Sequence, residues 1–325
     1  MAPTPPHDQR PSSGRTRATI TGVVACYNEE SNIESCLSSL DWCDELVVVD
    51  SFSTDLTAEI AQQNPKVRFY QHAYYGDGAQ RNWAINLVRT DWLLILDADE
   101  RCPAALREEI EELLAAEPAH DAYTIPRRSY FLGRRIRFSG WQNDRVIRLV
   151  RHGAGYYSRR RVHARVVTSG PAPLLQNPLD HYMIECFHSY VRRINLYGYW
   201  GAAQCWRDGI RAGAMHVLIR PATRFVRTYL LQLGFLDGMR GLTFCMLQTY
   251  ASYLKWSLLW SWHVNAARGR APLLPEFDDD PTVWSGLRQV ERRRAARARS
   301  SQAFPEPGRV TDADVASAGP GTNRA

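Results

Sequence analysis

Between Ala18 and Leu132, short apolar runs alternate with amphipathic stretches of helical periodicity. The apolar runs are ATITGVVAC, ELVVVD, VRFYQH and WLLILD. Continuous apolar runs are typical of strands covered on both faces, and helices between such strands predict a parallel sheet. We therefore expect an α/β fold with a mainly parallel sheet flanked by helices.

The pattern changes further along the chain. Residues 122–168 hold short strand-like segments broken by Gly and Arg, which predict a small antiparallel extension of the same domain. Residues 188–264 become helical in pattern and rich in aromatic side chains. Residues 1–17 and 265–325 are polar, with Pro-rich and Arg-rich stretches. Their composition predicts a disordered leader and a mostly disordered basic tail, with a short basic helix at ERRRAARARSS.

Charge and cysteine content narrow the class of protein. The net charge of +6 favours an anionic partner such as a nucleotide, a phosphate or an anionic lipid. Arginine supplies nearly all of it, and arginine alone does not indicate nucleic acid, so we expect no nucleic-acid partner. Seven scattered cysteines without a CxxC pair argue against a disulfide framework and a zinc site, and favour a reducing compartment. The first 17 residues hold no apolar run, so no secretory signal is expected.

An acidic pair follows the fourth apolar run. Asp97 and Asp99 are two residues apart where the predicted strand ends, so an extended backbone points both carboxylates the same way. Two hard oxygen ligands beside a solvated loop suit Mg²⁺ or Mn²⁺ that also binds substrate phosphate. The alternative is a solvated acidic turn that caps the next helix.

Polar and aromatic residues also end the other predicted strands. Tyr27 follows the first strand, where its ring can stack on a nucleobase, and Asp50 follows the second as an acceptor for base or ribose groups. Arg81, before the fourth strand, offers a guanidinium to phosphate. Taken singly, a core-edge tyrosine and a surface salt bridge explain Tyr27 and Arg81 equally well. Together they predict one site, since ligands bind beyond the carboxyl ends of parallel strands.

These segments carry a family resemblance. CYNEE, VVVDSFSTDLT, AQRNWAI and LLILDADE, in that order, resemble the nucleotide-sugar domain of glycosyltransferase family 2, which has the GT-A fold, over residues 20–151. The resemblance implies a catalytic domain at 18–187, with a nucleotide-sugar half at 18–121 and an acceptor half at 122–187. The donor-site residues it implies are Tyr27, Asn28, Glu29, Asp50, Arg81 and Asp97, with Asp99 and Asp97 at the metal. Phe52 stands where the family usually has Gly. This departure leaves open the backbone geometry of the turn after Asp50, though not the role of the carboxylate itself.

A narrower resemblance lies downstream. RRSYFLGRRIRFSGWQNDRVIRLVR, LDHY and RFVRTYLLQLGFLDGMRGL are similar to bacterial transferases that build the lipopolysaccharide core or related surface glycans. That subgroup carries an acidic residue in the Gly-Trp segment, which here is Asp144. We expect Asp144 to be the catalytic base, and Glu185 is a distant second. The alternative for Asp144 is surface pairing with Arg145 or Arg148.

Three further positions bear on the acceptor half. His163 and His181 can each ligate a metal or phosphate, or make structural hydrogen bonds instead. Ala164 stands where the family often has Glu. This keeps open a non-catalytic nucleotide-sugar-binding or scaffold subunit at the membrane as the alternative function.

The implied activity is inverting, metal-dependent transfer of a sugar from a nucleotide diphosphate, by resemblance uridine diphosphate, to a glycolipid or glycan. Inversion requires a base on the acceptor hydroxyl, while a metal on the diphosphate replaces the general acid used by glycoside hydrolases. A haloacid-dehalogenase phosphatase would need a nucleophilic Asp where Cys26 and Tyr27 stand. A sugar nucleotidyltransferase would need a Gly-rich loop after the first strand, and the sequence has none there.

The helical region suggests a membrane surface. Arg220, Arg224 and Arg227 are spaced to share one helix face beside Phe225, Leu230 and Leu231, which suits an anionic membrane. We expect a cytoplasmic protein, peripheral on the inner face of the plasma membrane. Buried packing of these helices is the next alternative. A span over 241–262 comes last because Lys255 and Gln248 make it a poor membrane segment.

Overall fold

The computed structural model describes residues 17–160, 164–184, 187–270, 272, 274 and 283–302, with backbone alone for Ile184 and 299–302. The predicted alternation of strands and helices is present in its first part. The elements are β1 (Ile20–Cys26), α1 (Ile33–Ser38), β2 (Glu45–Asp50), α2 (Thr57–Gln63), β3 (Val67–Gln71), α3 (Asp77–Ile85) and β4 (Trp92–Asp97).

Shorter strands make up the next part of the chain. They are β5 (Glu100–Arg101), β6 (Ala122–Phe131), β7 (Arg134–Arg135), β8 (Arg145–Arg151), β9 (Gly155–Tyr157), β10 (Val166–Thr168) and β11 (Leu179–Ile184), with α4 (Ala104–Ala115) between β5 and β6. The segment RIRFSGW differs from its prediction as a strand, because only its first residue belongs to β7. Ser139 and Gly140 there have φ of +62° and +90°, which extended strands do not allow.

One sheet contains nine of these strands, in the order β3-β2-β1-β4-β8-β6-β11-β5 with β7 paired to β6. The first four strands are parallel. Strand β8 runs antiparallel to both β4 and β6. The expected α/β fold, a parallel sheet flanked by helices with a small antiparallel extension and a C-terminal helical region, is confirmed.

The sheet is covered on both faces, as the unbroken apolar runs predict. Leu94 and Leu96 of β4 pack in one buried cluster with α1 and α4. Leu93 and Ile95, which alternate with them, pack in a second cluster with α3. That second cluster also contains Leu287 and Val290 of α8 (Ser285–Gln302). The segment predicted to hold at most a short basic helix therefore includes an 18-residue helix with a buried apolar stripe.

The C-terminal helical region consists of α5 (Phe187–Arg207), α6 (Ala214–Phe225), a π-helical stretch (Val226–Leu231), a 3-10 turn (Gly234–Asp237) and α7 (Gly238–Ala266). Close packing of α5 on α7 needs a small residue at Gly198, where an added Cβ would lie 2.9 Å from Leu254 Cδ2. Of the helices in the described ranges, none is both long and apolar enough to cross a membrane. The six cysteines that the structure describes are free thiols.

Candidate active site

Asp50 ends β2 with a fully buried carboxylate. Its Oδ2 accepts hydrogen bonds from the Ser53 backbone N–H at 2.9 Å and from Gln71 Nε2 at 3.2 Å, and the Ser53 hydroxyl donates to Oδ1. These bonds fix the turn that follows the strand. Within it, Phe52 has φ of +60°. The turn therefore keeps the left-handed backbone that Gly adopts without steric cost, while Phe52 bears the strain and exposes its ring.

The loop after β1 is tied to the loop after β2. Asn28, with φ of +53°, accepts the Thr54 backbone N–H on Oδ1 at 2.8 Å and donates its own N–H to Ser53 Oγ at 2.8 Å. The Glu29 N–H bonds Thr57 Oγ1 at 2.7 Å. Asn28 thus holds two strand ends in register. Tyr27 beside it is half exposed and leaves a ring face open.

Asp97 lies between two guanidinium groups. Its Oδ1 is 2.5 Å from Arg81 Nη2 and its Oδ2 is 2.5 Å from Arg148 Nη2. The same Arg148 nitrogen is 2.8 Å from Glu100 Oε1, and Glu100 is fully buried. Burial would raise the pKa of Asp97, but Arg148 and Arg81 outweigh it and hold that pKa well below its usual range. Arg81 is therefore part of a buried network and not a surface salt bridge.

Asp99 is 6% exposed, so a solvated acidic turn does not describe it. Its Oδ1 lies 3.7 Å from His181 Nε2, and its Oδ2 lies 3.2 Å from Arg193 Nη1. Arg193 also reaches Glu29 Oε1 at 3.1 Å through Nη2. Burial and the nearby Asp99 charge raise the pKa of Glu29 to about 7, against the opposing effect of Arg193. Two carboxylates, a histidine and an arginine thus meet beyond the end of β4.

The donor set at Asp99 suits a divalent cation that is shared with a substrate. Carboxylate oxygen and imidazole nitrogen both bind Mn²⁺ readily, and Mg²⁺ accepts few protein ligands when phosphate oxygens complete its shell. No group of three or more His, Cys, Asp or Glu side chains in the described ranges is arranged to hold a metal. Asp99 Oδ1 and His181 Nε2 are the protein atoms that would hold such a cation.

Asp144 lies in the loop between β7 and β8. Its Oδ2 accepts from Arg127 Nε at 2.7 Å, and its carbonyl accepts the Arg127 backbone N–H at 2.9 Å. Arg127 also forms an ion pair with Glu100, with Nη1 at 3.1 Å from Oε1. Arg127, and neither Arg145 nor Arg148, is the ion-pair partner of Asp144. Within the described ranges, the Asp144 side chain accepts a protein hydrogen bond on Oδ2 and none on Oδ1.

The loop that carries Asp144 faces the Asp99 end of the sheet. The rings of Trp141 and His181 have centroids 6.0 Å apart, and the Asp144 N–H donates to the Trp141 carbonyl at 3.2 Å. His163 and Glu185 lie outside the described residues. Ala164 packs beside α3. A Cβ added to Gly78 of that helix would lie 3.2 Å from the Cβ of Ala164. A small residue at 164 therefore has a packing role.

Sequence reasoning missed three participants, namely Arg193, Arg127 and Glu100. Arg193 comes from α5, whose pattern indicates only an amphipathic helix. Arg127 lies on β6 among several other arginines. Glu100 directly follows the acidic pair in the sequence. Two carboxylates buried side by side require positive partners, and that requirement would have pointed to nearby arginines.

The chain was compared with known proteins. Residues 21–179 match the family model "Glycosyl transferase family 2". The lipopolysaccharide core biosynthesis glycosyltransferase LpsC of Rhizobium meliloti is 29% identical over 252 residues, which are 74% of this chain and 93% of LpsC. The uncharacterized glycosyltransferase RT0209 of Rickettsia typhi is 24% identical over 257 residues, 73% of this chain and 85% of its own length. Among solved structures, S. aureus TarS 1–349 in complex with UDP-GlcNAc aligns at 13% identity and a TM-score of 0.38, over 80% of this chain and 100% of that one.

Residues 21–179 therefore match a glycosyltransferase family 2 domain, and the protein is a glycosyltransferase, similar to a lipopolysaccharide core transferase over most of its length.

Proposed function

We propose that this protein is an inverting, metal-dependent glycosyltransferase that moves a sugar from a uridine diphosphate donor to a lipopolysaccharide-core or other surface-glycan acceptor. The observation that carries the proposal is the gathering of Asp50, Asp97 and Asp99 at the carboxyl edge of the parallel strands. Arginines lie beside Asp97 and Asp99 there. Such an edge suits a ligand with both hydrogen-bonding and anionic parts.

The donor would bind along this edge. Tyr27 offers an exposed ring to the base, and Asp50 holds the neighbouring turn and supplies an acceptor. Asn28 and Glu29 shape the loop between them. The remaining residues of the site, Arg81 and Asp97, would meet the phosphates and the ribose.

Asp99 and His181 would hold the divalent cation, Mg²⁺ or Mn²⁺, with Asp97 nearby. When bound, that ion supplies positive charge to the diphosphate leaving group. Asp144 would take the proton of the acceptor hydroxyl through its Oδ1 oxygen. Arg127 holds the other oxygen, Oδ2, and so fixes the direction in which Oδ1 points.

The acceptor is proposed from chemistry and from one relative. LpsC is named for the biosynthesis of the lipopolysaccharide core. A core glycan grows on a lipid, so we place the enzyme on the inner face of the plasma membrane as a peripheral protein. The partners are then a nucleotide-sugar donor, a lipid-linked glycan and an anionic membrane surface, with no nucleic acid.

The test compares surface glycolipids from a deletion strain, from that strain with the wild-type gene, and from that strain with Asp99→Asn. We expect mass spectrometry to show a glycan shortened by at least one sugar in the first and third strains, and full length in the second. Identical glycolipids in all three strains would refute the proposed acceptor class. Isothermal titration of the purified protein with uridine diphosphate and Mn²⁺ tests donor binding separately.

A further inference from the structure

Helix α6 packs with its apolar stripe turned away from the protein. Met215, Leu218 and Ile219 lie on one stripe, and their exposed fractions are 65%, 68% and 44%. Only Pro221 among the twelve residues of the helix is buried. An amphipathic helix on a soluble domain normally turns that stripe inward, so this arrangement requires something to cover it.

The basic stripe of the same helix faces the body of the protein. At 3.6 residues per turn, Arg220 and Arg224 lie roughly 170° around the helix axis from the centre of the apolar stripe. The Arg220 guanidinium is 4.3 Å from the ring centroid of Trp256 in α7, and Arg224 Nη2 donates to Gln248 Oε1 at 2.6 Å. The arginines that the sequence assigns to a membrane-facing surface thus anchor α6 to α7. Arg220 and Arg224 therefore lie on the side of α6 opposite its apolar stripe.

Exposed apolar side chains also follow α6 in the π-helical stretch, the 3-10 turn and the start of α7. Leu231 is 74% exposed and Met239 is 75% exposed. Eleven of the 23 exposed large apolar side chains in the described residues fall between positions 215 and 246. They are Met215, Leu218, Ile219, Val226, Leu230, Leu231, Leu233, Phe235, Leu236, Met239 and Met246. We call this set the apolar face.

The segment that carries the apolar face is bonded to the acceptor-side loop. Asp237 accepts the backbone N–H groups of Arg137 and Phe138 at 3.1 and 3.0 Å. The Ser139 N–H donates to the Gln232 carbonyl at 3.0 Å. This loop continues directly to Trp141 and Asp144. Whatever covers the apolar face therefore lies next to the point where we expect the acceptor to enter.

We propose that the apolar face inserts into the interfacial region of an anionic lipid bilayer and holds the acceptor-side loop against it. This inference rests on the proposed function in one respect, since a lipid-linked acceptor gives that contact its purpose. Leucine, methionine and phenylalanine suit the acyl boundary, and the exposed Arg227, which lies between Val226 and Leu230 in the sequence, suits anionic headgroups. A second copy of the chain is disfavoured, because a two-fold contact through the apolar face would add the exposed Arg227 of each copy to one interface, in a chain of net charge +6.

The experiment measures flotation of the full-length protein with two kinds of vesicle. One kind contains phosphatidylethanolamine and phosphatidylglycerol, and the other contains phosphatidylcholine alone. The test variant is Leu218→Gln/Leu231→Gln. The matched control is Leu174→Gln/Leu196→Gln, which changes two leucines that are also exposed, at 44% and 43%, but lie outside the apolar face.

We expect wild type and control to bind the anionic vesicles, and the test variant to bind at least about tenfold more weakly. A second variant, Met215→Gln/Met239→Gln, should show the same loss, so that misfolding of one double variant cannot decide the result. Vesicle binding by both test variants equal to that of wild type would overturn the inference. A wild-type dimer in lipid-free sedimentation that these variants abolish would overturn it in favour of a second copy.

Titration with uridine diphosphate separates this inference from the proposed function. Loss of vesicle binding with unchanged nucleotide affinity supports the apolar face as the lipid contact. Wild-type protein that binds vesicles but no nucleotide supports the lipid contact and refutes the proposed donor.

Discussion

Replacement of Asp144 by Asn separates a catalytic base from a structural ion pair. The side chain keeps its size. Its amide oxygen can still accept the hydrogen bond that Arg127 Nε donates to Asp144 Oδ2 at 2.7 Å in the wild type. What is lost is the negative charge and the ability to take a proton. The neighbouring residue on β6 provides a matched control, because Arg128 forms a two-point ion pair with Asp180 at 2.5 and 2.9 Å.

The expected change in stability is small and similar for Asp144→Asn and Asp180→Asn. Two unit charges about 4 Å apart attract by about 4 kcal/mol at an effective dielectric constant of about 20. Desolvation of the carboxylate offsets much of this, and the amide retains one hydrogen bond, so each variant should lose about 1–2 kcal/mol. For a chain of this size, 1 kcal/mol lowers Tm by about 2–4 °C.

The expected changes in rate differ between the two variants. A base that acts on the acceptor hydroxyl contributes about 10²- to 10⁴-fold, so Asp144→Asn should lower kcat by that factor, while Asp180→Asn leaves it near wild type. Uridine diphosphate affinity should be unchanged in both. The assay follows nucleotide release with lipid-linked core glycan from the deletion strain as acceptor. A kcat for Asp144→Asn within twofold of the Asp180→Asn value would refute the base and leave Asp144 as the residue that holds Arg127.

Three further predictions concern the donor side of the site. Asp99→Asn should lower turnover at least about 100-fold, and chelator should not change the remaining activity, because the anionic metal ligand is gone. Full activity of this variant in excess chelator would contradict metal dependence. Asp50→Ala should weaken uridine diphosphate binding measured by calorimetry, while Asp55→Ala, which removes a 3.0 Å bond to the Thr57 N–H in the next turn, should not. The Glu29 pKa of about 7 lies above the unfolded value, so its contribution to stability is present below about pH 4 and lost as pH rises through 7. In chelator, Glu29→Gln should flatten the fall in Tm from about pH 5 to about pH 8, and an unchanged slope would contradict the raised pKa.

The sheet and its strand-end residues were predictable because the determinants are local. Each apolar run is contiguous, and the rule that parallel strands present their carboxyl ends at one edge brings Asp50 and Asp97 together without knowledge of any contact. The positive φ at Phe52 was not predictable in this way, because a Phe where the family usually has Gly left the backbone of that turn open. What the pattern lacks is the identity of the charges that compensate those carboxylates.

The rest of the site depends on contacts between distant segments. Arg193 reaches Asp99 from 94 positions along the chain, and Arg127 reaches Asp144 across a strand pair. Hydrophobic periodicity shows that α6 has an apolar stripe and a basic stripe, but not which of them packs on α7. That choice is made by Trp256 and Gln248, which offer an aromatic face and an amide oxygen to Arg220 and Arg224.

The helical region after the family domain is thus part of the site as well as a neighbour of it. Arg193 of α5 neutralises Asp99 and Glu29 together, two carboxylates that would repel each other beyond the end of β4. A cation held as proposed by Asp99 Oδ1 and His181 would bring a second positive charge to the carboxylate whose Oδ2 meets Arg193, and would so lessen the need for Arg193 there. The same α5 packs on α7, and α7 begins within the apolar face. Donor-side charge and the proposed lipid contact therefore meet in one pair of packed helices, which is where coupling between donor binding and membrane attachment would arise.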